Sequence, residues 1–191
     1  MKERLKFIGN PERDMGKVPV LFLSIMLLFS FISNVGSEEM TKMSDLKISS
    51  PAFENNGRIP GRYTCTGKDV NPPLLIGNVP AKAKSIALIV DDPDAPAGTW
   101  VHWVVWNISP GTSEIGENSV PSGAKQGLND FRVHEYRGPC PPSGTHRYFF
   151  KVYALDTVLD PGPDTTKSDM ERAMKGHIIG QARIVGLYEK R

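Results

Sequence analysis

The stretch "KSIALIVDDPDAPAGTWVHWVVWNI", residues 84–108, decides how the rest of the chain is read. It holds two continuous apolar runs of strand length, rich in β-branched and aromatic residues, on either side of an acidic turn broken by Pro93 and Pro96. A strand that is apolar on both faces belongs in the middle of a sheet. Alternate residues of a strand share a face, so Trp100, His102, Val104 and Trp106 are expected to point one way and Val101, Trp103 and Val105 the other. Trp103 reads as core. His102 is the polar exception on a buried face.

Outward from this stretch, "HRYFFKVYALD" (146–156) and "ARIVGLY" (182–188) read as two further strands. Short apolar runs punctuated by 18 Gly and 16 Pro favour turns over long helices, so the expectation is a mostly β domain of sandwich or Greek-key character. The clearest helix is expected near 169–180. Ser168 and Glu171 form a capping-box signature, Met170, Ala173, Met174 and His177 line one face, and Gly180 can end it. Residues 156–169 before it read as a loop, and His134 as a solvent-exposed residue of a polar connection.

The 191 residues suffice for one well-buried domain. Residues 1–37 hold five of the 23 Lys and Arg and three of the 21 acids, so residues 38–191 carry eighteen of each. A neutral domain disfavours nucleic-acid binding through bulk charge. The basic start followed by an uncharged apolar run, Val18–Ile32, matches a secretory signal peptide with Val35-Gly36-Ser37 before the cut, or an uncleaved anchor. The expected organisation is a signal peptide or membrane anchor over 1–37, a linker over 38–45 and the domain over 46–191. Export follows: periplasmic, extracellular, or held on the outer side of the cytoplasmic membrane.

If the strands around His102 and His146 pair, His102, His146 and Tyr148 converge at one end of the sheet, beside the turn that holds Asp92 and Asp94. The fourth contributor is "YRGPCPPSGTHRY" (136–148), a stiff loop whose Gly138 and Cys140 N–H groups are candidates for an anion nest. Taken singly, each of these has a plain structural reading; their coincidence in one pattern favours a site.

"DDPDAP", "WVHWVVWNI" and "GPCPPSGTHRYFFKVYALD", in that order, resemble the phosphatidylethanolamine-binding protein family, also called the Raf kinase inhibitor protein family, and most nearly its short bacterial and archaeal branch. "YTCTGKDVNPPL" and the terminal "MKGHIIGQARIVGLYEKR" look like that branch too. The resemblance implies a large antiparallel sheet flanked by a smaller one, with a few short helices and a small anion pocket at one end. Carried over motif by motif, it implies ligand contacts from Asp92, Asp94, Trp100, His102, Gly138, Cys140, Pro142, His146 and Tyr148. The implied ligand is a phosphate-like anion or a phospholipid headgroup. Some family members pair into dimers. The loop before His146 is shorter than in animal members, and the animal carboxy-terminal helix is not evident.

An aspartate in an anion pocket needs a cation beside it, and protonated His102 and His146 are expected to supply one, with Tyr148 adding a hydroxyl. A metal site from Asp92, His102 and His146 lacks a diagnostic spacing, so no metal and no cofactor is expected. No nucleophile elbow is visible, and Cys140 is flanked by prolines, so the reading is a binding protein rather than an enzyme. The alternative is a protein-interaction module, an inhibitor of a serine protease or of a kinase pathway acting through its Pro-rich loops. Cys65 and Cys140, the two cysteines, fit a disulfide and two buried thiols equally well.

Overall fold

Strand pairing is organised around the run that is apolar on both faces. The structure, a computed structural model, describes residues 45–190. In chain order the strands are β1 (Lys47–Ser49), β2 (Gly57–Arg58), β3 (Leu74–Gly77), β4 (Ser85–Asp92), β5 (Trp100–Ile108), β6 (Glu114–Ile115), β7 (Lys125–Gln126), β8 (Thr145–Leu155) and β9 (Ile178–Glu189). A 3₁₀ turn spans Gly61–Tyr63, and helix α1 spans Lys167–Met174. The large sheet runs β2-β9-β8-β4-β5-β7 and the small one β1-β3-β6. All ladders are antiparallel except that of the edge strand β2, which runs parallel to β9.

All eight residues of β4 are buried, because β5 and β8 flank it and apolar layers cover both faces. On one face Ile86, Leu88 and Val90 pack with Phe150 and Val152, and with Leu74, Ile76 and Ile115 of the small sheet. On the other face Ala87 and Ile89 meet Met170 and Met174 of α1 and Leu159 of the preceding loop. Double burial is why residues 84–92 read as continuously rather than alternately apolar.

The expected alternation along β5 fails at His102. Val90 pairs with Trp103, but Asp91 pairs with Val101, so His102 is the extra residue of a β-bulge. A second irregularity separates the Leu88–Val105 and Ile86–Ile108 pairs, with Asn107 at φ 55°. In consequence Val101, Val104 and Trp106 share the helix-side layer, whereas Trp103, Val105 and Ile108 face the small sheet.

The helix also differs from expectation. Its cap is Thr166, whose hydroxyl accepts the Asp169 N–H while the Asp169 carboxylate accepts the Thr166 N–H at 2.9 Å. Two capping-box registers overlap in the sequence. The Thr166 register wins, and the chain leaves the helix at Gly176, where φ is +83°. Gly180 therefore lies within β9, and His177 follows the helix instead of riding on it, with Nδ1 2.8 Å from Asp156. Met170 and Met174 are buried as expected. Among the described residues no helix is long and apolar enough to cross a membrane, and the apolar segment 18–36 with its cleavage site lies outside them.

The two capping readings separate experimentally. Thr166→Ala is expected to cost about 1 kcal/mol in chemical denaturation, and Ser168→Ala to stay within about 0.5 kcal/mol.

Candidate functional site

Successive strand residues point to opposite faces, so Asp91 and Asp92 enter different layers. Asp91 is fully buried on the helix side, where its Oδ2 accepts Nζ–H bonds from Lys151 (2.7 Å) and Lys167 (2.6 Å). A buried carboxylate requires such pairing, and here it ties β8 and α1 to β4. Asp92 faces the other way, into a cavity of about 300 Å³ at the end of the large sheet.

Seven of the nine expected site residues line this cavity: Asp92, Trp100, His102, Cys140, Pro142, His146 and Tyr148. Ala95, Pro96, Ala97, Phe131 and Pro141 complete the wall. No Lys or Arg is among the lining residues.

Asp92 Oδ2 lies 2.8 Å from His146 Nδ1, and Oδ1 accepts the Asp94 N–H at 2.8 Å, closing an Asx turn. Asp92 is thus an orienting group, and it leaves the His146 Nε2 edge to the cavity. His102 Nδ1 lies 2.6 Å from the Arg137 carbonyl oxygen, which can only accept, so Nδ1 carries a hydrogen. Burial pushes the His102 imidazole below its ordinary pKa, against the opposing pull of the Arg137 carbonyl and of Asp92 and Asp91. Burial therefore works against the expected cation at His102 and favours the neutral ring, in which Nε2 is a lone-pair acceptor. Tyr148 is 1% exposed, and its hydroxyl has no hydrogen-bond partner. Burial first, and the Asp92 charge second, push its pKa far up, so it remains a phenol O–H.

Two expected residues are elsewhere. Asp94 turns outward and grips Arg147, with Oδ1 2.7 Å from Nη2 and Oδ2 2.9 Å from both Nε and the backbone N. Hydrogen bonds from the Arg147 side chain lower the Asp94 pKa to about 2. Gly138 offers nothing to an anion, because its N–H donates to Asp69 Oδ1 at 2.6 Å. Its backbone packs so closely that a Cβ there would lie 2.3 Å from the Tyr63 carbonyl oxygen. Cys140 is bonded to Cys65, 75 residues away, with Cα atoms 5.4 Å apart. This bridge staples the Gly/Pro loop to the segment after the 3₁₀ turn.

Phe131 was missed by sequence reasoning. Buried Asn129 holds it: Nδ2 donates to the carbonyls of Glu135 (2.8 Å) and His102 (3.2 Å), while Oδ1 accepts the N–H groups of Phe131 and Val133. The bulged His102 carbonyl also accepts the Arg137 N–H at 3.1 Å. The Phe131 ring then meets Trp100 and His102 edge-on, with centroids 5.5 and 5.4 Å apart. The only signal in the sequence was a phenylalanine within the largely polar run 129–137, which holds Tyr136 as well. His134, expected to be exposed, is exposed and reaches Asp164 at 3.1 Å.

The family model described as phosphatidylethanolamine-binding protein matches residues 49–189. A UPF0098 protein of Methanothermobacter thermautotrophicus is 51% identical over 150 residues, covering 76% of this chain and 99% of that protein. Another, from Pyrococcus horikoshii, is 43% identical over 192 residues, covering 96% and 94%. Among solved structures, the phosphatidylethanolamine-binding protein homologue CT736 of Chlamydia trachomatis superposes with a TM-score of 0.74 at 44% identity, over 76% of this chain and 98% of that one. YbcL of E. coli, described as a member of the mammalian PEBP family, gives 0.72 at 30% identity, over 78% and 100%. The chain belongs to the phosphatidylethanolamine-binding protein family.

Two measurements test the frame of the site. The Asp94–Arg147 pairing stabilises the fold above the ordinary carboxylate pKa of about 4, and that contribution fades as pH falls through about 2. Arg147→Ala should return the Asp94 titration, followed by NMR, to near 4. Replacing both Cys65 and Cys140 by Ser should lower unfolding stability by about 2–4 kcal/mol.

Proposed function

We propose that this protein binds a small anionic, phosphate-like ligand in the cavity and performs no chemistry on it. The observation that supports this most directly is that the cavity wall gathers Asp92, His146 and Tyr148, whose hydroxyl is buried without a partner. An unsatisfied buried donor costs about 1–3 kcal/mol, which a ligand oxygen would recover. His146 stands beside it with Nε2 open to the cavity, and when that nitrogen carries a proton it is a second donor. The Asp92–His146 pair could orient a base, but the lining holds no serine or threonine hydroxyl and no free thiol for it to activate, since Cys140 is bonded to Cys65. Apolar walls from Trp100, Phe131 and the prolines would exclude water and strengthen the few polar contacts.

Export is part of the same proposal. The apolar segment 18–32 after a basic start supports it, and so does a disulfide whose two cysteines are both solvent-exposed. Fractionation of cells with sequencing of the mature amino terminus tests it; a full-length chain in the cytosol would be the contrary result.

Calorimetric titration with inorganic phosphate is expected to show one site per chain. Tyr148→Phe and His146→Ala should each weaken it about tenfold, or about 1.4 kcal/mol. Absence of binding by the intact protein would overturn the proposal.

A further inference from the structure

The hydrogen-bonding groups of the cavity are unequal in kind, and that inequality limits which anions fit. Tyr148 can donate, and His146 donates when Nε2 is protonated. Neutral His102 cannot: the Arg137 carbonyl at 2.6 Å takes its Nδ1–H and leaves a lone pair at Nε2, and burial of a residue only 3% exposed disfavours a second proton there. Asp92 adds a negative charge at the wall. The nearby guanidinium groups are engaged elsewhere: Arg147 with Asp94, and Arg137 with Asp69 and Glu135. The other imidazole at the wall, His146, is already matched by Asp92 at 2.8 Å. An oxyanion that can only accept therefore brings its lone pairs against the His102 lone pair and its charge against Asp92. An oxyanion with an O–H directs that hydrogen to His102 and its remaining oxygens to Tyr148 and His146.

Resting on the anion-binding reading above, we propose that the cavity selects oxyanions that carry a proton of their own, phosphomonoesters and inorganic phosphate, over sulfate esters and phosphodiesters. His102 is the residue that makes the selection. Sites that hydrogen-bond a ligand hydroxyl reject analogues lacking it by large factors, because the buried partner is then left unmatched. The headgroup of a diacyl phospholipid is a phosphodiester without such a proton. The expected source of ligand is thus a soluble monoester or free phosphate, not an intact membrane lipid.

Methyl phosphate and methyl sulfate, titrated at about pH 6, close to the second pKa of a phosphomonoester, isolate the effect. The singly charged forms share shape and charge and differ by one proton. Methyl phosphate is expected to bind at least about tenfold more tightly. Phosphoethanolamine should bind and glycerophosphoethanolamine should not, which separates monoester from lipid-type diester. Tyr148→Phe should weaken methyl phosphate and methyl sulfate alike and preserve their ratio. His102→Gln, whose amide can turn either a donor or an acceptor to the ligand, should bring the ratio towards one. Equal affinities in the intact protein, a diester bound as tightly as the monoester, or a folded His102→Gln with an unchanged ratio would each overturn the proposal while leaving anion binding intact. Failure of all these anions to bind would overturn both.

Discussion

The pleat of β4 sends two adjacent carboxylates into two different buried layers, and much of the molecule answers to that constraint. Asp91 must be neutralised beneath the helix, which fixes Lys151 on β8 and the first residue of α1, Lys167, above it. Asp92 must be satisfied on the opposite face, which fixes His146 on β8 and the turn after β4. Because both acids sit at the end of a strand with no exposed residue, neither can turn out to water. The price of this arrangement is a buried Asp91 Oδ1 with no hydrogen-bond partner.

The cavity exists because β5 is irregular at the same level. The bulge at His102 frees its carbonyl from the ladder, and the loop after β7 uses that carbonyl as an anchor through Asn129 and the Arg137 N–H. The loop in return supplies the Arg137 carbonyl that fixes the His102 tautomer and the Phe131 ring that closes one wall. Ring orientation, loop position and wall polarity thus form one hydrogen-bonded unit. Asn129, which is not among the residues that line the cavity, is its central joint.

The β-rich fold was legible wherever strands are doubly buried, because continuous apolar runs of the length of 84–92 and 99–108, rich in β-branched and aromatic residues, fit a strand covered on both faces better than a helix. The converging ends of β4, β5 and β8 were legible from the polar residues that begin or end those runs. What was not legible depended on backbone events without a side-chain signature. A one-residue bulge reverses the alternation beyond His102, and overlapping capping boxes at Thr166 and Ser168 are decided by where the chain must leave the helix, at Gly176. Gly138 shows a different limit: a glycine required for close backbone packing reads the same as one that cradles a ligand. His102 shows a third, since its tautomer is fixed by a carbonyl 35 residues away and its neutral form is favoured by burial.

The large sheet ends on both sides in strands of only two residues, β2 and β7. A short border strand caps only part of its neighbour: β2 pairs with β9 only at Gly186 and Leu187, so the rest of that flank is the outer edge of the twelve-residue β9, whereas β7 and the loop after it engage β5 at Val101, Val104, Val105 and Trp106. The long, hydrophobic β4, which would be the most dangerous strand at a border, is sheltered in the interior of the sheet.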